Sequence, residues 1–459
     1  MTPPLTATLG TSLGGWAGPD GERRSTPARL LVVGGRLLDP AGGLDRFADL
    51  RLRDGRIAAI EPRLAADDDE VVLDARGCVV APGFVDLHCH LGEPGYEDRE
   101  TLATGTRAAA AGGFTTVCCM GDTNPRLDCG AEIAALRARA AAAGVVRVLP
   151  IGCVTRGREG SELAELGELA AAGAVAFSDD ARPVRGSRLL RHALAYSAML
   201  GRPVVEHAVD ADLAEGGLVH EGPVATWLGL PGVPAAAEEI AVARAIALAR
   251  LTGGRLHLAH LSTAGAVDQV RAAQAEGLAV TAEVTPHHLL LTADVVRAGP
   301  DRRPYDTSTR LDPPLRSAAD AAALVAAVAD GTIAAVATDH RPQRQVDKDC
   351  EYAYAAPGAT ALETALGAIM ELVVAERLSL QAAVRALTSG PAAVFGLDAG
   401  RLAVGGPADL VVFDPDAAWT VEPTRFHSRG KSTPLAGRTL HGRVRATLVG
   451  GALVFSTEC

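Results

Sequence analysis

The sequence lacks several features that would indicate particular classes of protein. Aromatic residues make up only 3% of its 459 residues, so its core must be built mainly from Ala, Val and Leu. No apolar run approaches the ~20 residues that a membrane-spanning helix needs. The formal net charge of −11 gives no electrostatic basis for binding nucleic acid or an anionic membrane. We therefore expect neither of these partners.

The cysteines and the N-terminal segment also exclude specific classes. The eight cysteines include no CxxC pair, which argues against a zinc ribbon and against a dithiol redox site. Residues 1–28 are rich in Pro, Gly, Ser and Thr and have no charged segment followed by an apolar one, so they do not resemble a secretory signal. We expect a disordered tail over residues 1–28 and a protein of the reducing cytoplasm.

The apolar runs predict two kinds of structure. Residues 29–79 and 399–459 contain short apolar runs broken by turns, which are typical of β-hairpins, so both ends are expected to form one small composite β-sandwich domain. Across residues 80–398, apolar runs alternate with Ala-rich helical segments. This alternation predicts a (β/α)8 TIM-type barrel, in which catalytic groups lie at the C-terminal ends of the strands. The eight predicted strands are CVVAPGFVDLH, TTVCCM, VRVLPIGCV, GAVAFS, RPVVEH, RLHLAH, AVTAEVTP and TIAAVATDH.

Polar residues collect at the ends of these runs. The first run ends in His88 and His90, and the i, i+2 spacing in a strand places both side chains on one face. A single histidine at such a position is usually structural, but four of them together with carboxylates predict a metal site. Six ligands suit two zinc ions bridged by one carboxylate, with manganese, cobalt or iron as substitutes. The other strand ends carry Asp179-Asp180, His207, His260 and Asp339.

One further histidine, His257, precedes His260 by three residues. Residues at i and i+3 of a strand face opposite sides, so His257 is expected to point into the barrel wall or between the layers.

Several motifs together resemble the dihydroorotases of the larger bacterial type, which belong to the metal-dependent amidohydrolase superfamily. The resemblance runs from about Arg29 to the C-terminus and implies hydrolysis of a cyclic amide C–N bond, or its formation in reverse. The motifs are PGFVDLHCHLGEPG, GGFTTVCCMGDTNP, AFSDDARPV, RLHLAHLST, VTPHHLLLT, DPPLR and VATDH.

The resemblance also implies roles for the polar residues at the strand ends. Asp339 is implied as the catalytic residue, which takes a proton from the attacking water and passes it to the leaving nitrogen. Many amidohydrolases bridge their metals with a carbamylated lysine, but this chain offers Asp179 and Asp180 there and no lysine. Asp180 is preferred because its spacing to His207 agrees with the family, and Asp179 stays open. The implied ligands are His88, His90 and Asp339 for one metal and His207 and His260 for the other, with Asp180 as the bridge.

The chain departs from this family at the positions that contact substrate. Dihydroorotases usually read His-Leu-Arg-Glu, with an arginine that holds the substrate carboxylate, where this chain has Gly92. Two asparagines are replaced by aspartates, a histidine by glutamine, and an alanine by Arg341. A segment that supplies backbone contacts to the ring is also altered. The predicted substrate-binding residues are therefore Gly92, Asp122, Asp312, Gln343, Pro357 and Gly358.

Three functions are compatible with these departures. The loss of one cation and the gain of two anions favour a cyclic amide other than dihydroorotate, one that lacks the carboxylate or carries an amine, amidine or guanidine. The alternative is a genuine dihydroorotase of pyrimidine biosynthesis in which Arg341 or Arg99 binds the carboxylate. A non-catalytic subunit that partners aspartate carbamoyltransferase should have lost its metal ligands and ranks last. Exposed edges of the β domain predict a homodimer or homotetramer.

Overall fold

The structure is a computed structural model that describes residues 29–297 and 303–457. The predicted disordered tail, residues 1–28, lies outside the described residues.

Eight parallel strands form a nearly closed barrel in chain order, each paired with the next. The chain beyond the last strand completes the ring, because Cys89 forms a parallel bridge with His340 and the His90 N–H donates to the His340 carbonyl at 2.8 Å. The predicted (β/α)8 fold class is confirmed. The strands are Phe84–Cys89, Phe114–Cys119, Arg147–Gly152, Ala176–Phe177, Val204–Glu206, Leu256–Leu258, Val280–Val284 and Ala335–Val336.

The first predicted strand is in fact two strands in two different sheets. Val79–Pro82 pairs with strands of the chain termini, and Phe84–Cys89 is the first strand of the barrel. Gly83 lies between them, and a Cβ there would collide with the side chain of Thr115. The prediction of one strand was wrong because a continuous apolar run does not show where the chain passes from one sheet to another.

Strands from both ends of the chain join in a second eight-stranded sheet, as the composite β domain predicts. The run after residue 70 does not form a hairpin, because Val71–Asp74 and Val79–Pro82 both pair parallel to Leu30–Asp39. The hairpin prediction was wrong there, since parallel pairing requires a longer return of the chain. The sheet contains Leu30–Asp39, Leu44–Arg53, Arg56–Glu61, Val71–Asp74, Val79–Pro82, Leu410–Asp414, Arg443–Val449 and Ala452–Ser456.

The strand Leu410–Asp414 of this sheet is buried on both faces, which explains why its sequence is a continuous apolar run. Val411 and Phe413 pack into the main core cluster of the barrel, with the Phe84 and Phe413 rings 6.2 Å apart. Leu410 and Val412 pack on the opposite side, into the cluster of the terminal sheet. This alternation fixes the sheet against the bottom of the first barrel strand.

Helices follow the barrel strands and cover the barrel. Several begin at a Thr or Ser whose side chain accepts a hydrogen bond from the first turn, as Thr101, Thr263 and Ser317 do. Within the described residues, no helix is both long and apolar enough to cross a membrane. The helices of seven or more residues are Leu102–Ala111, Gly130–Ala143, Leu166–Ala172, Ser187–Met199, Ala235–Thr252, Ala264–Ala275, Ala318–Asp330, Ala365–Val374, Leu380–Leu387 and Ser389–Phe395.

Shorter elements lie in the loops. Val219–His220 pairs with Gly232–Val233 and Trp419–Thr420 with Thr439–Leu440. The short helical turns are Arg156–Arg158, Ala211–Ala214, Pro223–Leu228, Pro286–Leu290, Ala293–Val296, Thr307–Thr309, Gln345–Lys348, Leu362–Thr364 and Pro423–Arg425.

Candidate metal centre and active site

The six predicted metal ligands all lie at the C-terminal end of the barrel, and their side chains are buried. Two of them are turned by an unusual backbone conformation, because His260 has a φ of +35° and Asp339 a φ of +44°. A residue with positive φ leaves the strict alternation of a strand. This explains how the His260 side chain turns toward the metal centre, although strict alternation along its strand would direct it to the opposite face.

Asp180 lies at the middle of the cluster, and its two oxygens face different histidine pairs. Oδ2 is 3.2 Å from His88 Nε2 and 3.6 Å from His90 Nε2. Oδ1 is 3.1 Å from His260 Nε2 and 3.3 Å from His207 Nδ1. A carboxylate that presents one oxygen to each of two ligand pairs has the arrangement required to bridge two ions.

The neighbouring Asp179 is used differently. Its Oδ1 accepts the backbone N–H groups of Val154 at 2.9 Å and Thr155 at 3.1 Å, and its Oδ2 accepts the Thr155 hydroxyl at 2.5 Å. Arg158 donates to the backbone carbonyls of both Asp179 and Asp180, which holds this turn in place. Asp179 therefore has no free oxygen directed at the histidines, and the geometry favours Asp180.

Asp339 lies beside His88 and His90. Its Oδ1 is 3.5 Å from His90 Nε2 and 3.7 Å from His88 Nε2. His88, His90 and Asp339 each offer one ligand atom within 4.8 Å of the others, and so do His88, Asp180 and His260.

These separations are close to those expected of atoms that share a metal ion. Ligand atoms around a tetrahedral zinc ion lie about 3.4 Å apart, since zinc–nitrogen and zinc–oxygen bonds are ~2.1 Å long. Both ring nitrogens of His90 are buried and make no hydrogen bond within residues 29–297 and 303–457, and Nε2 is the one that faces Asp180 and Asp339. A buried, unsatisfied imidazole nitrogen is costly unless it has a partner. The donor set and this unsatisfied nitrogen both fit a divalent cation.

The charges of the cluster depend on one another. Burial raises the pKa of Asp180, but the charge of His88 and the hydrogen bonds of His207 and His260 outweigh it and hold the pKa well below its usual value. Burial likewise lowers the pKa of His88, but the charge of Asp180 and a hydrogen bond to Glu283 raise it overall. The cluster therefore keeps Asp180 ionised, as a metal-binding carboxylate must be.

The sequence analysis missed one carboxylate, Glu283 of the seventh barrel strand. Its Oε1 is 2.7 Å from His88 Nδ1, and its Oε2 is 3.1 Å from His257 Nε2. His257 Nδ1 in turn contacts the Thr281 hydroxyl at 2.8 Å. The available signal was a glutamate inside the apolar run AVTAEVTP, because a carboxylate buried in a strand needs partners.

His257, predicted to point into the barrel wall or between the layers, lies outside both candidate ligand groups. Its ring contacts the side chains of Thr281 and Glu283 on the neighbouring seventh barrel strand, and it lies 5.7 Å from the Phe395 ring. Through Glu283, which also contacts His88, it supports a predicted ligand.

Asp122, predicted to contact substrate, lies beside a predicted ligand. Its Oδ2 is 2.9 Å from His90 Nδ1, on the ring nitrogen opposite to the one that faces Asp180 and Asp339. Burial raises the pKa of Asp122, but the charge of His90, and then the charges of Arg158 and Arg341, hold it below its usual value. Asp122 is thus a partner of His90 and not an unpaired anion.

Gly92 has a φ of +69°, and its missing side chain would not point into an open pocket. A Cβ at this position would meet the carbonyl oxygen of Glu100 at 2.7 Å and that of Tyr96 at 2.8 Å. In this loop conformation, position 92 cannot carry a side chain toward the metal centre.

Asp312 lies at the open side of the centre. Its Oδ1 is 3.9 Å from His207 Nε2, and its side chain is 38% exposed. A cavity of about 210 Å³ lies here, and its lining includes His207, His260, Asp312 and Arg310. This cavity is next to His207 and His260 and is large enough for a small ring.

The remaining predicted contacts lie together on one loop. The Gln343 side-chain amide donates to the Pro357 carbonyl at 2.9 Å, so that carbonyl is already hydrogen-bonded. Gly358 has a φ of +122° and packs against Arg341, where a Cβ would lie 2.6 Å from the Arg341 carbonyl oxygen. These three residues shape the loop that carries Arg341.

Comparisons with known proteins show which families this chain is similar to. The family described as "Dihydro-orotase-like" matches residues 77–266, and the "Amidohydrolase family" matches residues 228–455. A protein named dihydroorotase from Anaeromyxobacter dehalogenans strain 2CP-1 is 52% identical over 94% of this chain and 98% of its own. The dihydroorotase of Pelotomaculum thermopropionicum is 50% identical over 93% of this chain and 98% of its own.

Solved structures give the same picture of the fold. The L-hydantoinase (dihydropyrimidinase) from Arthrobacter aurescens is similar with a TM-score of 0.83 and 27% identity, over 94% of this chain and 96% of its own. The dihydropyrimidinase from Brevibacillus agri has a TM-score of 0.80 and 26% identity, over 94% of this chain and 95% of its own.

Proposed function

This chain belongs to the dihydroorotase family of amidohydrolases, and we propose that its reaction is the reversible hydrolysis of the dihydroorotate ring. As a member of this family it is a hydrolase that acts on C–N bonds of cyclic amides. The observation that carries the choice of substrate is the contact between Asp122 and His90. Because Asp122 is engaged by a histidine, the pocket does not have the excess of free anions that would repel a carboxylate.

We further infer two zinc ions per chain. His88, His90 and Asp339 would hold one ion, His207 and His260 would hold the other, and Asp180 would contact both. When bound, such ions lower the pKa of a water molecule and polarise the amide carbonyl.

Asp339 is the proposed catalytic residue. Burial raises its pKa, but the interaction with His90 and the charges of His88 and His260 lower it below its usual value, so it is a carboxylate at neutral pH. It is then able to accept the proton of the attacking water and return it to the ring nitrogen as the C–N bond breaks. Ring closure uses the same carboxylate in the opposite order.

The test is an assay of dihydroorotate ring opening and ring closure on zinc-loaded protein, with the metal content measured on the same sample. We expect turnover in both directions and about two zinc ions per chain. Asp339→Asn should abolish turnover while the protein stays folded. Two bound ions with no turnover of dihydroorotate would contradict the proposed substrate.

A second candidate is a cyclic amide without a carboxylate, such as a hydantoin or dihydrouracil. It is favoured by the exposed Asp312 next to His207 and by the absence of a side chain at Gly92. The same assay with these two uncharged rings separates the candidates. A preference for an uncharged ring over dihydroorotate would support the second one.

A further inference from the structure

The arginines around the metal centre differ in what they bind. Arg158 donates to the backbone carbonyls of Asp179 and Asp180, and Arg310 donates to the carbonyls of Gly217 and Leu218. Both of these guanidinium groups hold the polypeptide in place through their terminal nitrogens. Arg310 also lines the cavity beside His207, and its Nε makes no hydrogen bond within the described residues.

Arg99, one of the two candidates from the sequence, is also engaged. Its guanidinium carbon lies 4.9 Å from the centre of the Tyr96 ring, a cation–π contact. Its charge acts on Asp347, a residue of a short helical turn outside the metal centre. Arg99 therefore interacts with groups outside the metal centre.

Arg341 has no such partner. Within residues 29–297 and 303–457 its side chain makes no hydrogen bond and no ion pair, although the residue is largely buried. Its backbone is fixed, because its N–H donates to the Ala359 carbonyl at 2.8 Å and its stem lies across Gly358. A Cβ on Gly358 would come within 3.1 Å of the Arg341 Cγ. The glycine therefore makes room for this side chain.

The charge of Arg341 acts on groups from every side of the centre. It interacts with His90 and with His207, which belong to different groups of predicted ligands. A guanidinium group is not deprotonated in proteins, so Arg341 keeps its positive charge. The guanidinium is thus a permanent cation beside the metal centre. The carboxylates that act on it are Asp122, Asp339, Asp180 and Asp312.

We propose that Arg341 binds the carboxylate of the substrate, in a role that no side chain at position 92 can fill. This inference rests on the proposed function, since dihydroorotate is the ring that carries a carboxylate. The guanidinium offers paired N–H donors that match the two oxygens of a carboxylate. Arg341 is then the residue that distinguishes this ring from uncharged ones.

The experiment compares wild type with Arg341→Met and Arg341→Lys. Arg344→Met is the matched control, because Arg344 lies three residues away and pairs with Asp347 at the surface. We expect Arg341→Met to raise the KM for dihydroorotate about 100-fold with a much smaller change in kcat. Arg341→Lys should have an intermediate effect, because an ammonium group keeps the charge but loses the paired geometry. Arg344→Met should match wild type.

A binding measurement makes the test independent of turnover. Orotate carries the same carboxylate on an unreactive ring, and calorimetry should show that Arg341→Met weakens its binding by a similar factor. An unchanged KM and unchanged orotate affinity in Arg341→Met would overturn the inference, as would a large effect in Arg99→Met instead. If Arg341→Met fails to fold, the Arg341→Lys values decide in the same way.

The two proposals fail in different ways. Wild-type protein that binds orotate through Arg341 but does not turn over dihydroorotate contradicts the proposed function and supports the inference. Turnover that is indifferent to Arg341 supports the function and contradicts the inference. Wild type that neither binds orotate nor turns over dihydroorotate contradicts both.

Discussion

The Glu283 carboxylate lies 2.7 Å from His88 Nδ1, on the ring nitrogen opposite to the one that faces Asp180. This contact places the proton of His88 on Nδ1 and leaves the lone pair of Nε2 to bind a metal ion. The carboxylate is itself held by His257. Two residues inside the barrel, Glu283 and His257, therefore orient one predicted metal ligand, His88.

We expect Glu283→Gln to weaken metal binding about 10- to 100-fold, because a neutral amide orients and polarises His88 less well. The measurement is a competition titration of zinc against a chelator, on protein whose folding is checked by circular dichroism. Glu363→Gln is the control, since Glu363 is a largely buried glutamate that contacts the Ser428 N–H. Equal zinc affinity in wild type and Glu283→Gln would contradict this role.

Asp180→Asn should reduce the metal content from about two ions per chain to about one or fewer, because Asp180 faces both pairs of histidines. Asp179→Asn makes the same chemical change one residue earlier. It should keep its metal, since an amide oxygen still accepts the N–H groups of Val154 and Thr155. Elemental analysis of both variants decides the question. Loss of metal in Asp179→Asn with retention in Asp180→Asn would reverse the assignment.

Asp122→Asn tests whether this residue serves His90 or the substrate. Because Asp122 lies 2.9 Å from His90 Nδ1, we expect about a 10-fold loss of zinc affinity with the preference for dihydroorotate over uncharged rings unchanged. The measurements are zinc affinity and kcat/KM for each ring. A shift of preference toward dihydroorotate, with zinc affinity intact, would instead support the second candidate function.

Gly92→Ala should lower the free energy of unfolding by about 2–4 kcal/mol, because the new Cβ adds a collision with two carbonyl oxygens to the strain of a positive φ. Gly216→Ala is the matched control. Gly216 has a φ of +71° with no atom within 4 Å of the added Cβ, so it should cost only about 1 kcal/mol. Urea denaturation of both variants measures the difference. Equal losses would show that the collision is relieved.

Glu363 should make stability depend on pH. Burial, partly offset by the N–H groups of His427 and Ser428, raises the pKa of Glu363 from 4.5 to about 7. Between these values the folded protein holds a proton that the unfolded chain releases, so stability falls as pH rises, by up to about 1.4 kcal/mol per pH unit. Above pH 7 this contribution is constant.

Glu363→Gln should remove this dependence. The free energy of unfolding of the variant minus that of wild type should rise from about pH 4.5 to pH 7, as measured by urea denaturation at a series of pH values. Glu351→Gln, a change at an exposed position, should give a flat difference over the same range. A flat difference for Glu363→Gln as well would show that this carboxyl is ionised in the folded protein.

Some expectations from the sequence have no counterpart in the structure and stay predictions. These are the cytoplasmic location, the homodimer or homotetramer, the absence of nucleic-acid and membrane partners, and the exact domain boundaries.

The sequence by itself determined the barrel and the identity of the residues at its mouth. Alternating apolar and helical runs have the period of a (β/α)8 fold, and a polar residue that follows a strand, such as His207, must lie at one end of the barrel. The long ordered motifs determined the family, which the 52% identity with a dihydroorotase confirms. These are local properties of the chain, and local patterns are what a single sequence displays.

Only the tertiary structure decided how those residues are used. The partners of Glu283 come from the first and sixth barrel strands, so no local pattern shows that it supports His88. The positive φ of His260 depends on the end of its strand and reverses the direction that periodicity predicts. Whether Arg341 or Arg99 is a free cation depends on which groups surround each one in space. Charge, burial and direction are properties of neighbours brought together by folding, and the sequence does not list those neighbours.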